Sequence, residues 1–163
     1  MAEVELSVVI GQLRDVFREA LDGPAHRWSY FTDQGPEAGL FGTLAKLGAL
    51  DASRVVGTGG TPIAAHVFHV TFAFDASAAW IRGDRTPRRW QDSWSVSTVD
   101  DTAWAQLVTD LHRGYEDLSV AIQSHGASSE EAIGGALGAL AHVAYHLGAI
   151  RQKAALLRAA DAP

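Results

Sequence analysis

Apolar residues recur at helical spacing through most of the chain. In residues 4–21, Leu6, Val9, Leu13, Val16 and Ala20, with Ile10, Phe17 and Leu21 beside them, step by threes and fours into one broad stripe. Glu5, Gln12, Arg14, Asp15, Arg18 and Glu19 fill the other face, and Gly23-Pro24 stops the helix. Another long helix is predicted from Thr61-Pro62, with Thr as cap and Pro at the first helical position, to about Arg82. Along a further one, capped by Asp100 or Asp101, Trp104, Leu107, Leu111, Tyr115, Leu118 and Ile122 share a side. The last begins after Ser128 or Ser129, places Glu130 and Glu131 at the positive end of its dipole, and runs to about Leu157.

The connections are unequal. Residues 22–60 carry many turn formers (Asp33, Gly35-Pro36, Gly39, Gly57, Gly59-Gly60) and one short predicted helix at 37–47, with Leu40, Leu44 and Leu47 on one side. Residues 83–99 form a polar loop that bears tryptophans. With four long helices and no convincing strand, the predicted fold class is all-α. The architecture expected is a four-helix bundle with a long crossover between the first two long helices, in one domain over 1–163.

Composition narrows the chemistry. The 163 residues hold 47% hydrophobic side chains, enough for a core, and a net charge of −6, a poor match to nucleic acid. There are no cysteines, which removes disulfides, thiolate metal sites and a cysteine nucleophile. The N-terminal stretch has Glu3 and Glu5 and no basic region, and no run reaches 18 uninterrupted apolar residues. The expectation is a cytoplasmic protein without a signal peptide or membrane partner.

Seven histidines stand out, and four form two helical pairs. His66 and His69 sit in "HVFH", and His142 and His146 in "HVAYH". Residues four apart lie about 40° apart around a helix, and residues three apart about 60°, so each pair can converge on one point. Neutral imidazole is the commonest metal ligand. The other readings are buried pairs satisfied by backbone or water, or a patch at a subunit contact. Val143 stands where a metalloprotease helix has its glutamate. No glutamate stands three residues before any of these histidines, as a carboxylate-bridged di-iron bundle requires. A metal site here is therefore expected to be mononuclear, histidine-rich and neutral in ligand charge. A set of three histidines with open positions suits a catalytic centre better than a closed structural one. The last helix is apolar all round. His142 and His146 lie nearly opposite the Leu137, Leu140, Ala144 and Leu147 stripe, among Gly135, Gly138, Ala139 and Ala149. A helix of that kind meets partners on two sides, so a homodimer is expected.

With these motifs in this order, the chain resembles the DinB/YfiT-like metalloenzyme superfamily. The likeness runs from the first helix to about Gln152. It rests on His69, seven positions after Pro62, and on "HVAYHLGAIRQ" from His142 to Gln152, with His142 73 positions after His69. Pro62 departs from the small polar residue usual at its place. The resemblance implies a four-helix bundle and a divalent metal ion, commonly Zn or Ni, held by His69, His142 and His146. Some members resemble thiol transferases, which join a low-molecular-weight thiol of the bacillithiol or mycothiol type to an electrophile. Others resemble metal-dependent hydrolases. The expected partner is therefore a small-molecule substrate, and a thiol arriving as substrate accords with a chain that has none. The alternative is a non-catalytic protein that binds a divalent metal or small ligand.

Other residues are weighed against that site. His66, one turn from His69, is either a second contact in the same cavity or a packed histidine. Tyr145 and Arg151 share the helix of the last pair and are candidate substrate contacts. Asp75 faces away from His69 and is expected to be solvated or capping. His26, His112 and His125 are expected at the surface. The five tryptophans are candidates for a pocket mouth or dimer interface. "RGDRTPRR" is a small basic cluster in an acidic chain and is not read as a nucleic-acid site.

Overall fold

The computed structural model describes residues 4–25, 27–35, 37–57 and 60–161. Among these, the chain is all-helical, with no strand. The elements are α1 (Leu6–Asp22), α2 (Leu40–Leu44), α3 (Ala49–Ser53), α4 (Ile63–Ile81), α5 (Asp101–His125) and α6 (Glu130–Ala160), with a short 3-10 helix at Trp90–Trp94 between α4 and α5.

Local chemistry sets the helix ends. The Asp100 side chain accepts from the Ala103 N–H, and the Ser129 side chain from the Ala132 N–H, each satisfying an orphan donor of the first turn. At α4 the expected cap moves by one residue. Pro62 itself is the N-cap and Ile63 the first helical residue. The short helix expected at 37–47 is present only as α2, Leu40–Leu44, and a further short helix, α3, follows it with Gly48 as its N-cap. At the end of α1, Gly23 takes φ +87, and Gly39 packs so closely that a Cβ there would lie 2.4 Å from the Gly23 nitrogen. Only glycine fits such an approach.

α4 is the centre of the structure. It packs against α5 along its length and against α6, while α1 packs on both α6 and α5. The core they share includes Phe17, Leu21, Phe74, Leu111, Leu118, Ile122, Ile150 and Leu157, all essentially removed from water. Burying each such side chain contributes on the order of 1.5–3 kcal/mol before conformational entropy is set against it. Phe17 links three helices, with its ring centroid 5.7 Å from Phe74 and 5.6 Å from Tyr115. The connection after α1 is tied across the molecule. α2 rests on α1 and α6, and α3 on α4 and α5. The Trp104 indole donates to the Leu47 carbonyl at 3.0 Å, and the Val99 N–H to Ser53 Oγ at 3.0 Å.

Two faces differ from the sequence pattern. The apolar stripe of α1 begins at Ile10, since Leu6 and Val9 are exposed. Glu19, expected on the polar face, is buried and accepts hydrogen bonds from the Tyr30, Phe31 and Thr32 N–H groups and the Ser29 and Thr32 hydroxyls. The inner face of α6 is built from Ala132, Ala136, Ala139, Val143, His146, Leu147, Ile150, Ala154 and Leu157, while Leu137 is exposed. By length and composition alone, α6 would suit a bilayer; here its inner face lies against α4 and α1.

Candidate metal centre

The two histidine pairs meet where α4 packs on α6. His69 Nε2 lies 3.0 Å from His142 Nε2, and His146 Nε2 lies 3.1 Å from the same atom. The ligand atoms of His69, His142 and His146 all fall within 4.8 Å of one another. His69 and His146 are buried and His142 is half-buried. The structure thus brings together the three residues carried over by resemblance.

An imidazole nitrogen bears either one proton or one lone pair in the ring plane. His142 Nε2 can therefore make one good hydrogen bond, not two, yet it faces two ring nitrogens. Nitrogens bound about 2.0–2.1 Å from a tetrahedral ion stand roughly 3.3 Å apart, close to the spacing seen. A cation shared by three lone pairs satisfies all three atoms at once. Three neutral imidazoles are a donor set that suits a metal ion, and the cluster could hold one.

The surrounding groups set the tautomers this requires. Ser93 Oγ donates to the Trp90 carbonyl at 2.6 Å, which uses its single proton. Its 2.6 Å contact with His69 Nδ1 must then be donated by the ring, leaving His69 Nε2 with a free lone pair. His66 Nδ1 lies 2.9 Å from His146 Nδ1. If His146 Nδ1 donates there, its Nε2 is likewise free to ligate. His66 therefore touches the cluster from behind, through His146.

The 3-10 helix closes one side. Trp94 stacks on His69 with centroids 4.0 Å apart and planes 17° from parallel, and meets His66 edge-on at 5.4 Å. Burial pushes the imidazoles toward the neutral form. His66 is lowered to about 4 by burial, then Lys153 and His69. His69 is lowered to about 4 by burial and His142. His146 is lowered to about 3 by burial and its three histidine neighbours, and His142 is lowered by burial. All four are thus held in the state a metal needs at neutral pH.

The remaining candidates lie elsewhere. Tyr145 is 70% exposed, its ring edge-on to His146 at 5.1 Å, so it points mainly to solvent. Arg151 pairs with Asp33 and lines a separate cavity with Glu37, Lys46 and Arg158. Asp75 is exposed, in a small cavity with Asp110, Arg113 and Asp117. His112 and His125 are exposed, and His112 stacks on Phe41 at 3.6 Å. His26 lies outside the described residues. Trp80 and Trp90 line a cavity beside His69 and His142, Trp94 roofs the cluster, Trp104 is in the core, and Trp28 packs on Tyr30. The basic cluster is neutralised locally. Arg82 pairs with Asp117, Arg88 with Asp84 and Arg89 with Asp92, while Arg85 lies over the Trp80 ring.

The sequence offers Trp94 only as one of five tryptophans that could line a pocket mouth, and it gives no sign of Ser93 beyond its place in the tryptophan-bearing loop between two histidine-bearing helices. No protein-family model, curated protein or solved structure matches this chain.

Proposed function

We propose that the protein is a mononuclear metal-dependent enzyme of the DinB/YfiT-like kind, transferring a low-molecular-weight thiol to an electrophile. The observation that carries the reading is the approach of His69 Nε2 and His146 Nε2 to one atom, His142 Nε2, at the wall of an open cavity. The ring of packing supports a four-helix bundle, with α4 and α1 each against α5 and α6 and so diagonal to each other. Exposed Leu137, Tyr145 and Leu156 fall within about 100° of arc on α6, a face a second copy would cover in a homodimer.

His69, His142 and His146 would hold the ion. A divalent ion bound by three neutral imidazoles keeps its full charge, which favours a substrate thiol as thiolate at neutral pH. The protein's own part is to hold those rings. Ser93 orients His69, and His66 orients His146. Trp94 covers His69 and His66 and keeps water from that side. The half-buried His142 faces the cavity, where substrate enters.

The test is turnover by tag-free protein loaded with Zn or Ni, using a panel of bacterial thiols and a chlorinated aromatic. Thioether formation that disappears in His142→Ala supports the reading. A metal-replete protein that turns over no thiol leaves the binding-protein alternative in its place.

A further inference from the structure

A cavity of about 920 Å3 opens beside His69 and His142. That is the size of sites that enclose a drug-sized molecule, roughly 300–1,000 Å3. Its floor is one face of α6, where Gly134, Gly138 and His142 are spaced by four and stack turn upon turn. Glycine in a helix interior is destabilising relative to alanine. At Gly135 packing requires it, since a Cβ there would lie 2.9 Å from Trp80 Cδ1. At Gly134 and Gly138 a Cβ would meet nothing within 4 Å. Their missing side chains leave an open slot that leads to His142.

The walls are apolar and fixed. Ala73 and Ala76 of α4 face Ala139 of α6, and Trp80 and Trp90 flank them. The Trp80 indole donates to the Glu131 carbonyl at 3.1 Å, and the Arg85 guanidinium lies 3.9 Å from its ring centroid. Trp90 packs on Phe72 with centroids 5.4 Å apart. The charged groups of the lining already have partners. Arg88 pairs with Asp84, Arg85 donates to the Trp80 carbonyl at 2.6 Å, and Glu131 bonds to Ser129. An uncharged ring leaves each of these contacts in place.

We infer that the slot along Gly134, Gly138 and His142 binds an uncharged aromatic small molecule between Trp80 and Trp90, with one end at the histidine triad. The inference rests on the thiol-transfer reading for its role, in which this molecule is the electrophile. Bare helix backbone and indole rings make flat walls that reward ring-on-ring contact.

The experiment titrates 2-naphthalenemethanol and cyclohexanemethanol calorimetrically into the full chain, metal-free and zinc-loaded, with zinc content measured on the same samples. The aromatic alcohol is expected to bind about tenfold more tightly than the aliphatic one. Gly138→Leu should weaken it by about tenfold or more by filling the slot, without lowering Tm. Gly134→Leu gives a second filling variant should Gly138→Leu fail to fold. Gly148→Leu is the control, because its Cβ also meets nothing within 4 Å but it lines a different cavity, with Arg151 and Arg158. It should bind as wild type does. Equal affinity for the two alcohols, wild-type binding by a folded slot-filling variant, or equal weakening by Gly148→Leu would overturn the inference. The metal-free titration reads the slot even if the triad takes no zinc, so failure of the slot and failure of the metal centre are separate results.

Discussion

His66 Nδ1 stands 2.9 Å from His146 Nδ1, so one ring must donate its proton to the other. If His146 donates, its Nε2 is a ligand. If His66 donates, His146 carries its proton on Nε2, against His142. His66→Phe removes the acceptor and should lower zinc affinity by about 10–100-fold, as loss of an outer-shell partner does. His66→Asn, which can still accept, should recover part of it. Competition against a chromophoric chelator reads both. Unchanged affinity in His66→Phe would mean that His66 is packing alone.

Ser93 plays the matching part for His69. Ser93→Ala removes the acceptor of the Nδ1 proton while leaving the backbone of the 3-10 helix able to form. We expect an affinity loss of about tenfold for zinc and a change in Trp fluorescence as Trp94 shifts on His69. Wild-type affinity would place the control of that ring elsewhere.

The depressed imidazole pKa values predict how the metal-free protein responds to acid. His66 and His69 are lowered from 6.5 to about 4, and His146 to about 3. Between those values and 6.5 the unfolded chain binds more protons than the folded one, so stability falls as pH falls through that window. Tm should therefore drop between pH 6.5 and 4, and His66→Phe should flatten the slope. Saturating zinc, which binds the neutral rings, should raise Tm most near pH 7 and lose that effect in acid. A Tm that is flat from pH 7 to 4.5 would contradict buried neutral histidines.

The Glu19 pKa is also lowered, but here because the charged form is the one favoured. Burial would raise its pKa, but hydrogen bonds from the Tyr30 N–H, the Ser29 hydroxyl and the Thr32 and Phe31 N–H groups outweigh that and lower it to about 2. Its contribution is complete above 4.5 and is lost as pH falls toward 2. Glu19→Gln should cost about 3 kcal/mol in urea unfolding at pH 7, because an amide cannot accept all those donors on both its ends. The deficit should shrink near pH 2. A loss below about 0.5 kcal/mol, the range of ordinary surface substitutions, would mean the contacts are not kept in solution.

Much of this was legible from spacing. The long helices, and the pairing of His66 with His69 and of His142 with His146, follow from periods of three and four along the chain; Asp100 and Ser129 are each one of two caps the sequence offers, and the choice of His69 over His66 comes from the family resemblance alone. The second short helix of the crossover, Ala49–Ser53, was not legible, since five residues are too few to show a helical period. Glu19 looked like a solvated residue because its partners, 10 to 13 positions later, lie in a loop without periodicity. Ser93 was hidden for the same reason, and Trp94 was visible only as one of five candidate tryptophans. Their role depends on where the loop after α4 returns, and no local pattern encodes that. The core face of α6 mixes Ala132, Ala136, Ala139 and Ala154 with Val143, Leu147, Ile150 and Leu157, so on a helix apolar all round the pattern alone does not say which side meets the bundle.

The shared approach to His142 Nε2 is the central claim, and metal stoichiometry measures it most directly. Protein purified without a histidine tag, then equilibrated with zinc or nickel and dialysed, should retain one ion per chain. His69→Ala, His142→Ala and His146→Ala should each retain less than about a tenth as much while keeping their helical content. Wild-type protein that holds less than about a tenth of an equivalent, unrestored by either added metal, would contradict the claim. So would single variants whose metal content equals that of wild type.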